Sequence, residues 1–232
     1  MFYFNPLYLV FALPALLLAL IAQWRVQAAI NKYSRVYTGR GATGARVARA
    51  ILDGYGLQHL AVERTSGFLG DHYDPLSRTL RLSPEVHDTP SVAAVGIAAH
   101  ETGHALQHAE GYWPLQARSA IVPVVQFGSY LGPLVFLLGF LLNFTGLAWA
   151  GVFLFAGVAV FALITLPVEF DASRRALATL RRGSYLTPEE LTGAKKVLDA
   201  AALTYVAAFV TSALTLFYWA MRLGLLGGRR ND

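Results

Sequence analysis

The chain has 232 residues and no cysteine; 55% of its residues are hydrophobic and only 14% are charged. A soluble domain of this size carries about 25% charge, so the composition excludes a water-soluble protein unless the apolar excess is gathered into membrane spans. The missing cysteines exclude disulfides, thiolate metal sites, iron–sulfur clusters and a cysteine nucleophile, which leaves His, Asp and Glu to build any metal site. The net charge of +5 then serves to orient spans rather than to bind nucleic acid.

Four uncharged stretches follow. The first runs from Pro6 to Ala22 and ends at the interfacial pair Trp24-Arg25; the others run from Ile121 to Leu142, Leu147 to Val168 and Ala201 to Met221. Each is long enough to cross a hydrocarbon core of roughly 30 Å at about 1.5 Å per residue. The first has no basic segment before it and no small-residue cleavage site at Gln23-Trp24-Arg25, so it reads as a retained anchor rather than a signal peptide. Asn143-Phe144-Thr145-Gly146 is a tight turn that makes a hairpin of the second and third spans.

Lys and Arg near the span ends set orientation. Eleven lie in the two long loops (Arg25, Lys32, Arg35, Arg40, Arg118, Arg174, Arg175, Arg181, Arg182, Lys195, Lys196), against Arg222, Arg229 and Arg230 on the other side. Both loops are therefore expected in the cytoplasm and both termini outside. The basic tail runs against this assignment, and a re-entrant fourth helix would remove the conflict. The expected organisation is an anchor over 1–22, a cytoplasmic domain over 23–120, a transmembrane hairpin over 121–168, a cytoplasmic helical segment over 169–200, and a last transmembrane helix with a basic tail over 201–232.

Within the first loop, Thr43 is placed to cap a helix through Leu52, with Val47, Ala48, Ile51 and Leu52 as its apolar face and Gly54 just past its end. His59–Thr65 and Arg78–Ser83 alternate as strands, and the segment from Gly67 to Pro75 reads as a turn-rich connection. The Arg78–Ser83 strand is a candidate to pair its edge with an extended peptide. Thr89-Pro90 starts the next helix, with proline at its first position, and Gly111 ends it.

That helix carries His100-Glu101-Thr102-Gly103-His104. Residues four apart lie on one helix face about 6 Å apart along the axis, so the two imidazoles can converge on one Zn²⁺ at about 2.0–2.1 Å. Glu101, beside the first of them, can act as general base on a water that zinc acidifies towards a pKa of about 7. A catalytic zinc needs a third protein ligand and an open position. The metzincin continuation is excluded, because Gln107 and Glu110 stand where it requires Gly and His. His108 lies on the same stripe but a turn further along. Glu169 is the stronger candidate: it stands at the end of the third span, on the side already assigned to the His100 helix, and a carboxylate at a membrane boundary is uncommon.

Together, Leu82-Ser83, the run from Ala98 to His108, Thr165-Leu-Pro-Val-Glu169-Phe-Asp171-Ala-Ser173-Arg-Arg-Ala176, Asp71-His72-Tyr73-Asp74-Pro75 and Tyr205-Val-Ala-Ala208 resemble the YugP-type membrane zinc metallopeptidases over nearly the whole chain. The resemblance implies a neutral zinc endopeptidase of the bacterial inner membrane, with its active site facing the cytoplasm. A more distant similarity is to HtpX-like and CAAX-prenyl membrane proteases, in which a Glu ligand is followed four residues later by an Asp that supports a histidine. Glu169 fits the ligand position, but Ser173 stands at the Asp position, leaving Asp171, Asp71 and Asp74 as substitutes. In the gluzincin pattern a His, Tyr or Arg stabilises the oxyanion, a role open here to His72, Tyr73 or Arg174.

The expected fold is a mainly α integral membrane protein with about four transmembrane helices and a small cytoplasmic α+β zincin-like (gluzincin) domain. The expected activity is zinc-dependent hydrolysis of a peptide or membrane-protein substrate at the cytoplasmic membrane face. The expected catalytic residues are Glu101 and His72; the metal ligands are His100, His104 and Glu169. The lipid bilayer is the expected environment, and no nucleic acid is a partner. The alternative is a zinc-binding membrane scaffold that binds partners without cleaving them. A transporter is disfavoured because the four spans hold no Asp, Glu, Lys or Arg.

Overall fold

The computed structural model describes residues 6–66 and 70–224. Gly67, Phe68 and Leu69 of the expected turn, Arg229 and Arg230 of the basic tail, and the first five residues of the anchor lie outside the described residues. The chain divides into two compact units, one of residues 1–22, 117–166 and 204–232, the other of residues 23–116 and 167–203.

The first unit is helical. Four helices are long and apolar enough to cross a membrane: α1 (Pro6–Tyr33), α5 (Trp113–Leu141), α6 (Thr145–Arg182) and α7 (Pro188–Arg222). Their most apolar windows are only 11–22% buried, so large side chains such as Leu16, Leu17, Val124, Phe127, Phe153 and Leu163 point outward. That is the inverse of a soluble helix and is stable only where lipid surrounds it. All four helices extend well beyond the uncharged stretches, because a helix continues for as long as its hydrogen bonds and propensity permit, whatever the surrounding solvent. The hairpin turns at Asn143, in the left-handed region at φ 50°, a conformation asparagine tolerates well. Glycines let its two helices approach closely: a Cβ at Gly128 would lie 2.5 Å from the Leu154 carbonyl oxygen, whereas Gly157 faces open space. Phe136 stacks on Trp219 with ring centroids 4.3 Å apart.

The second unit is α+β. Helix α2 (Gly44–Gly54) is capped by the Thr43 hydroxyl, which accepts from the Arg46 amide, and it buries Val47, Ala48, Ile51 and Leu52. The expected strand pair is a three-stranded sheet in the order β1-β3-β2, formed by β1 (Ala61–Arg64), β2 (His72–Asp74) and β3 (Thr79–Leu82). β1 runs parallel to β3 and β2 antiparallel to it. Two expectations change here. β2 lies inside the segment read as a connection, because three residues are too few to show alternation. β3 (within Arg78–Ser83) is the central strand with both edges paired, so it cannot take up a peptide by edge pairing.

A short turn of helix, α3 (Pro84–His87), follows the sheet, and then comes α4 (Val92–Ala109). α4 begins two residues later than Thr89-Pro90 suggests. Ser91 is its cap, accepting from the Ala94 amide, while the Pro90 carbonyl is engaged by the Thr38 amide at 2.8 Å and Ser91 bridges Tyr37. Glu110 caps its C-terminus, and Gly111 follows at φ 67°, where glycine is unstrained. Leu52, Leu80, Leu82, Val92, Val95 and Leu180 are fully buried and supply most of the core between α4, the sheet and the ends of α6 and α7. The segment 169–200 is not a helix of its own; it is the C-terminal part of α6 and the N-terminal part of α7.

Candidate metal centre

The site sits on α4 and the part of α6 that belongs to the same unit. α4 can approach α6 because Gly103 has no side chain: a Cβ there would stand 2.6 Å from the Ala172 carbonyl oxygen. This contact brings His100 and His104, on one face of α4, to Glu169. The His100 Nε2 and Glu169 Oε2 atoms are 3.1 Å apart, and His104 Nε2 is 3.6 Å from the same oxygen. One donor atom from each of the three residues falls within 4.8 Å of the others.

Each imidazole is held from behind. His104 Nδ1 donates to Gln107 Oε1 at 3.0 Å, and His100 Nδ1 shares a hydrogen bond of 3.1 Å with the Ser173 hydroxyl. Gln107, fully buried, donates its amide to the Val168 carbonyl at 2.8 Å and to Asp171 at 2.9 Å. Asp171 also accepts from Arg174 and from Arg175, the latter at 2.6 Å, and Arg175 reaches Glu110 at 2.6 Å. With both Nδ1 atoms engaged, the Nε2 atoms are the ones aimed at Glu169.

The donor set fits zinc. Two ligands at about 2.0–2.1 Å in a tetrahedral shell stand about 3.3 Å apart, against the 3.1 and 3.6 Å found. Two imidazoles and one carboxylate are a borderline-soft, singly negative set of the kind that holds Zn²⁺ and leaves a position open. A carboxylate as buried as Glu169, at 2% exposure, also needs a cation or hydrogen bonds to offset its desolvation.

Glu101 is half-buried on the adjacent position. Burial pushes its carboxyl up from the usual carboxylate range, with the charges of Glu169 and Asp71 adding to the effect and the imidazoles of His100 and His104 opposing it. Among the described residues it has no hydrogen-bond or ion-pair partner, so its carboxylate is free to act on a substrate.

The other sequence candidates fall elsewhere. His72 is exposed on β2, with Nδ1 held 2.6 Å from the Gly70 carbonyl. His108 is outside the three-donor cluster, its Nδ1 sharing a 2.8 Å hydrogen bond with the Tyr73 hydroxyl. Asp71 serves Ser83, taking its amide at 2.6 Å and its hydroxyl at 3.1 Å; Asp74 serves Ser77 and Arg81. Arg174, largely exposed, pairs with Asp171. Of the three aspartates offered as histidine supports, Asp171 is the one in the network, acting through Gln107. Sequence reasoning passed over Gln107. Nothing in its sequence neighbourhood separates it from the other polar residues of α4, Glu101, Thr102 and His108.

The chain matches the family described as "Putative neutral zinc metallopeptidase" over residues 8–224. It belongs to that family. It is also 46% identical over 215 residues to the "Putative membrane protease YugP" of Bacillus subtilis (strain 168), covering 93% of this chain and 96% of that one. No solved structure matches it. Family membership gives a zinc metallopeptidase, four helices are long and apolar enough to cross a membrane, and the His100–His104–Glu169 group is a candidate place for the metal.

Proposed function

We propose that the protein is a zinc-dependent endopeptidase that hydrolyses peptide or membrane-protein substrates at the cytoplasmic face of a bacterial cell membrane, with His100, His104 and Glu169 as metal ligands and Glu101 as general base. The observation that carries this is the convergence of three donor atoms within 4.8 Å beside a carboxylate that, among the described residues, makes no hydrogen bond or ion pair. Zinc held there supplies Lewis-acid polarisation of the scissile carbonyl and acidification of the attacking water. Glu101 takes the proton of that water on a carboxylate oxygen and returns it to the leaving amide nitrogen as the C–N bond breaks. Gln107 and Ser173 hold the two imidazoles in the orientation that presents Nε2. The cytoplasmic placement rests on the Lys and Arg counts, and action at the membrane rests on Glu169, which directly follows an uncharged run on the same helix.

The test is zinc content of the detergent-purified full chain, wild type beside Glu169→Ala, followed by peptide cleavage in Glu101→Gln. We expect about one zinc per chain, lost in Glu169→Ala. In Glu101→Gln we expect zinc to be kept and cleavage to fall by about 10²–10⁴. Full zinc in Glu169→Ala would move the third ligand elsewhere. Cleavage surviving in Glu101→Gln would remove the mechanism, while zinc binding with no cleavage by the wild type would favour a scaffold.

A further inference from the structure

A cavity of about 300 Å³ lies between α4, the loop before β1, and the β2–β3 hairpin. Leu57 and Leu60 form its apolar part, and its polar lining is His59, Tyr73, Arg78 and His108. Among the described residues no carboxylate lines it. His108 stands one turn beyond His104 on α4, and its Nδ1 and the Tyr73 hydroxyl share a hydrogen bond of 2.8 Å, which fixes both side chains at the cavity wall.

Arg78 supplies the charge. Among the described residues no carboxylate pairs with it, as is also true of the exposed Arg35, Arg40 and Arg46; what distinguishes Arg78 is its place in the cavity wall. Its positive charge is felt by the Tyr73 phenol, where it opposes the upward push of burial. Arg78 also sits in the left-handed region, at φ 52°, where a glycine or asparagine would be easier. The cavity thus gathers one unpaired guanidinium, two imidazoles and a phenol around a space that would hold a small side chain. These groups can donate hydrogen bonds to an anion, and the planar fork of arginine suits a carboxylate best.

The cavity shares α4 with the metal centre: Ala105 and His108 in its wall follow His104 on that helix. Asp71, just before β2, acts electrostatically on Glu101, and Tyr73, within β2, touches His108. β2 therefore accompanies α4 from the Glu101 end to the His108 end. We infer that this cavity is a carboxylate-recognising subsite, which seats an acidic side chain or the terminal carboxylate of the peptide a short distance from the bond being cut. The inference rests on the peptidase reading and adds a substrate preference to it.

The test uses zinc-loaded, detergent-purified full chain and fluorescein-labelled peptide pairs. One set differs by Glu against Gln at each internal position; the other differs by a free against an amidated C-terminus. Binding is read by anisotropy in the Glu101→Gln background, and cleavage in the Glu101 background. An acid preference of about tenfold is expected from one charge-assisted contact. It should disappear in Arg78→Gly, which keeps the backbone conformation while deleting the guanidinium, and should return in Arg78→Lys. Arg78→Glu should turn the preference towards Lys. The set that shows the effect tells side chain from terminus. An acid preference that is absent, or that survives in Arg78→Gly, overturns the subsite while Glu101-dependent cleavage leaves the peptidase standing. An Arg78-dependent preference in binding, without cleavage by the wild type, keeps the recognition site and removes the peptidase.

Discussion

The hairpin of α5 and α6 and the contact of α4 with α6 use the same device for different ends. Both bring helix backbones together at glycines, Gly128 and Gly139 in the hairpin and Gly103 in α4. In the hairpin the gain is apolar packing, extended by aromatic contacts such as Phe155 with Trp219 at 5.0 Å. In the α4 contact the gain is register: Gln107 reaches Val168 and Asp171, and His100 reaches Ser173, only because the two backbones nearly touch. Packing tolerates small shifts. A shell of polar groups around a metal does not, since a hydrogen bond or ligand bond weakens steeply once its geometry is lost.

The strongest way to break this comparison is to widen both contacts. Gly103→Val should lose most bound zinc and lower the melting temperature, because a Cβ 2.6 Å from the Ala172 carbonyl oxygen forces the helices apart at about 1–3 kcal/mol. Gly139→Val, whose Cβ would collide with Ala148, should also lower the melting temperature but keep its zinc. Metal analysis beside thermal unfolding in detergent separates the two, and equal zinc loss would end the distinction. The next effect is smaller. Gln107→Leu leaves the His104 Nδ1 without its partner and cuts its link to Asp171, and should weaken zinc binding about 10–100-fold in a chelator competition. Ser173→Ala removes a single bond to an imidazole at the edge of the network, and a loss of less than about tenfold is expected by the same measurement. Least of all, Gly157→Ala, which meets open space, should change the melting temperature by an amount worth under about 0.5 kcal/mol.

His100 and His104 were legible because helix periodicity alone puts them on one face, and Glu101 because it stands next to the first of them. Glu169 was legible because a carboxylate directly after an uncharged span stands out. Gln107 was not, since nothing in its own sequence neighbourhood tells a buried bridge from a surface polar residue. The Ser173 hydroxyl was noted only as a departure from an expected aspartate; its contact with His100, 73 positions away, belongs to the fold. His72 was offered as an oxyanion stabiliser on the gluzincin pattern; it lies exposed on β2 beside the Gly70 carbonyl. In the fold its neighbour Tyr73 makes the contact to α4, because residues alternate faces along a strand.

By itself the sequence determined what the solvent demands: four helices with outward apolar surfaces, a capped α2, and two histidines four residues apart on α4. Those features depend on composition and on spacings of a few residues, which local geometry converts directly into structure. The tertiary structure decided the rest. It made β3 the central strand, moved the start of α4 to Val92 behind a Ser91 cap, gave His108 to Tyr73, and routed Asp171 through Gln107 to His104. Each of these depends on contacts between residues far apart in the chain, and such contacts are fixed by the packing of whole elements.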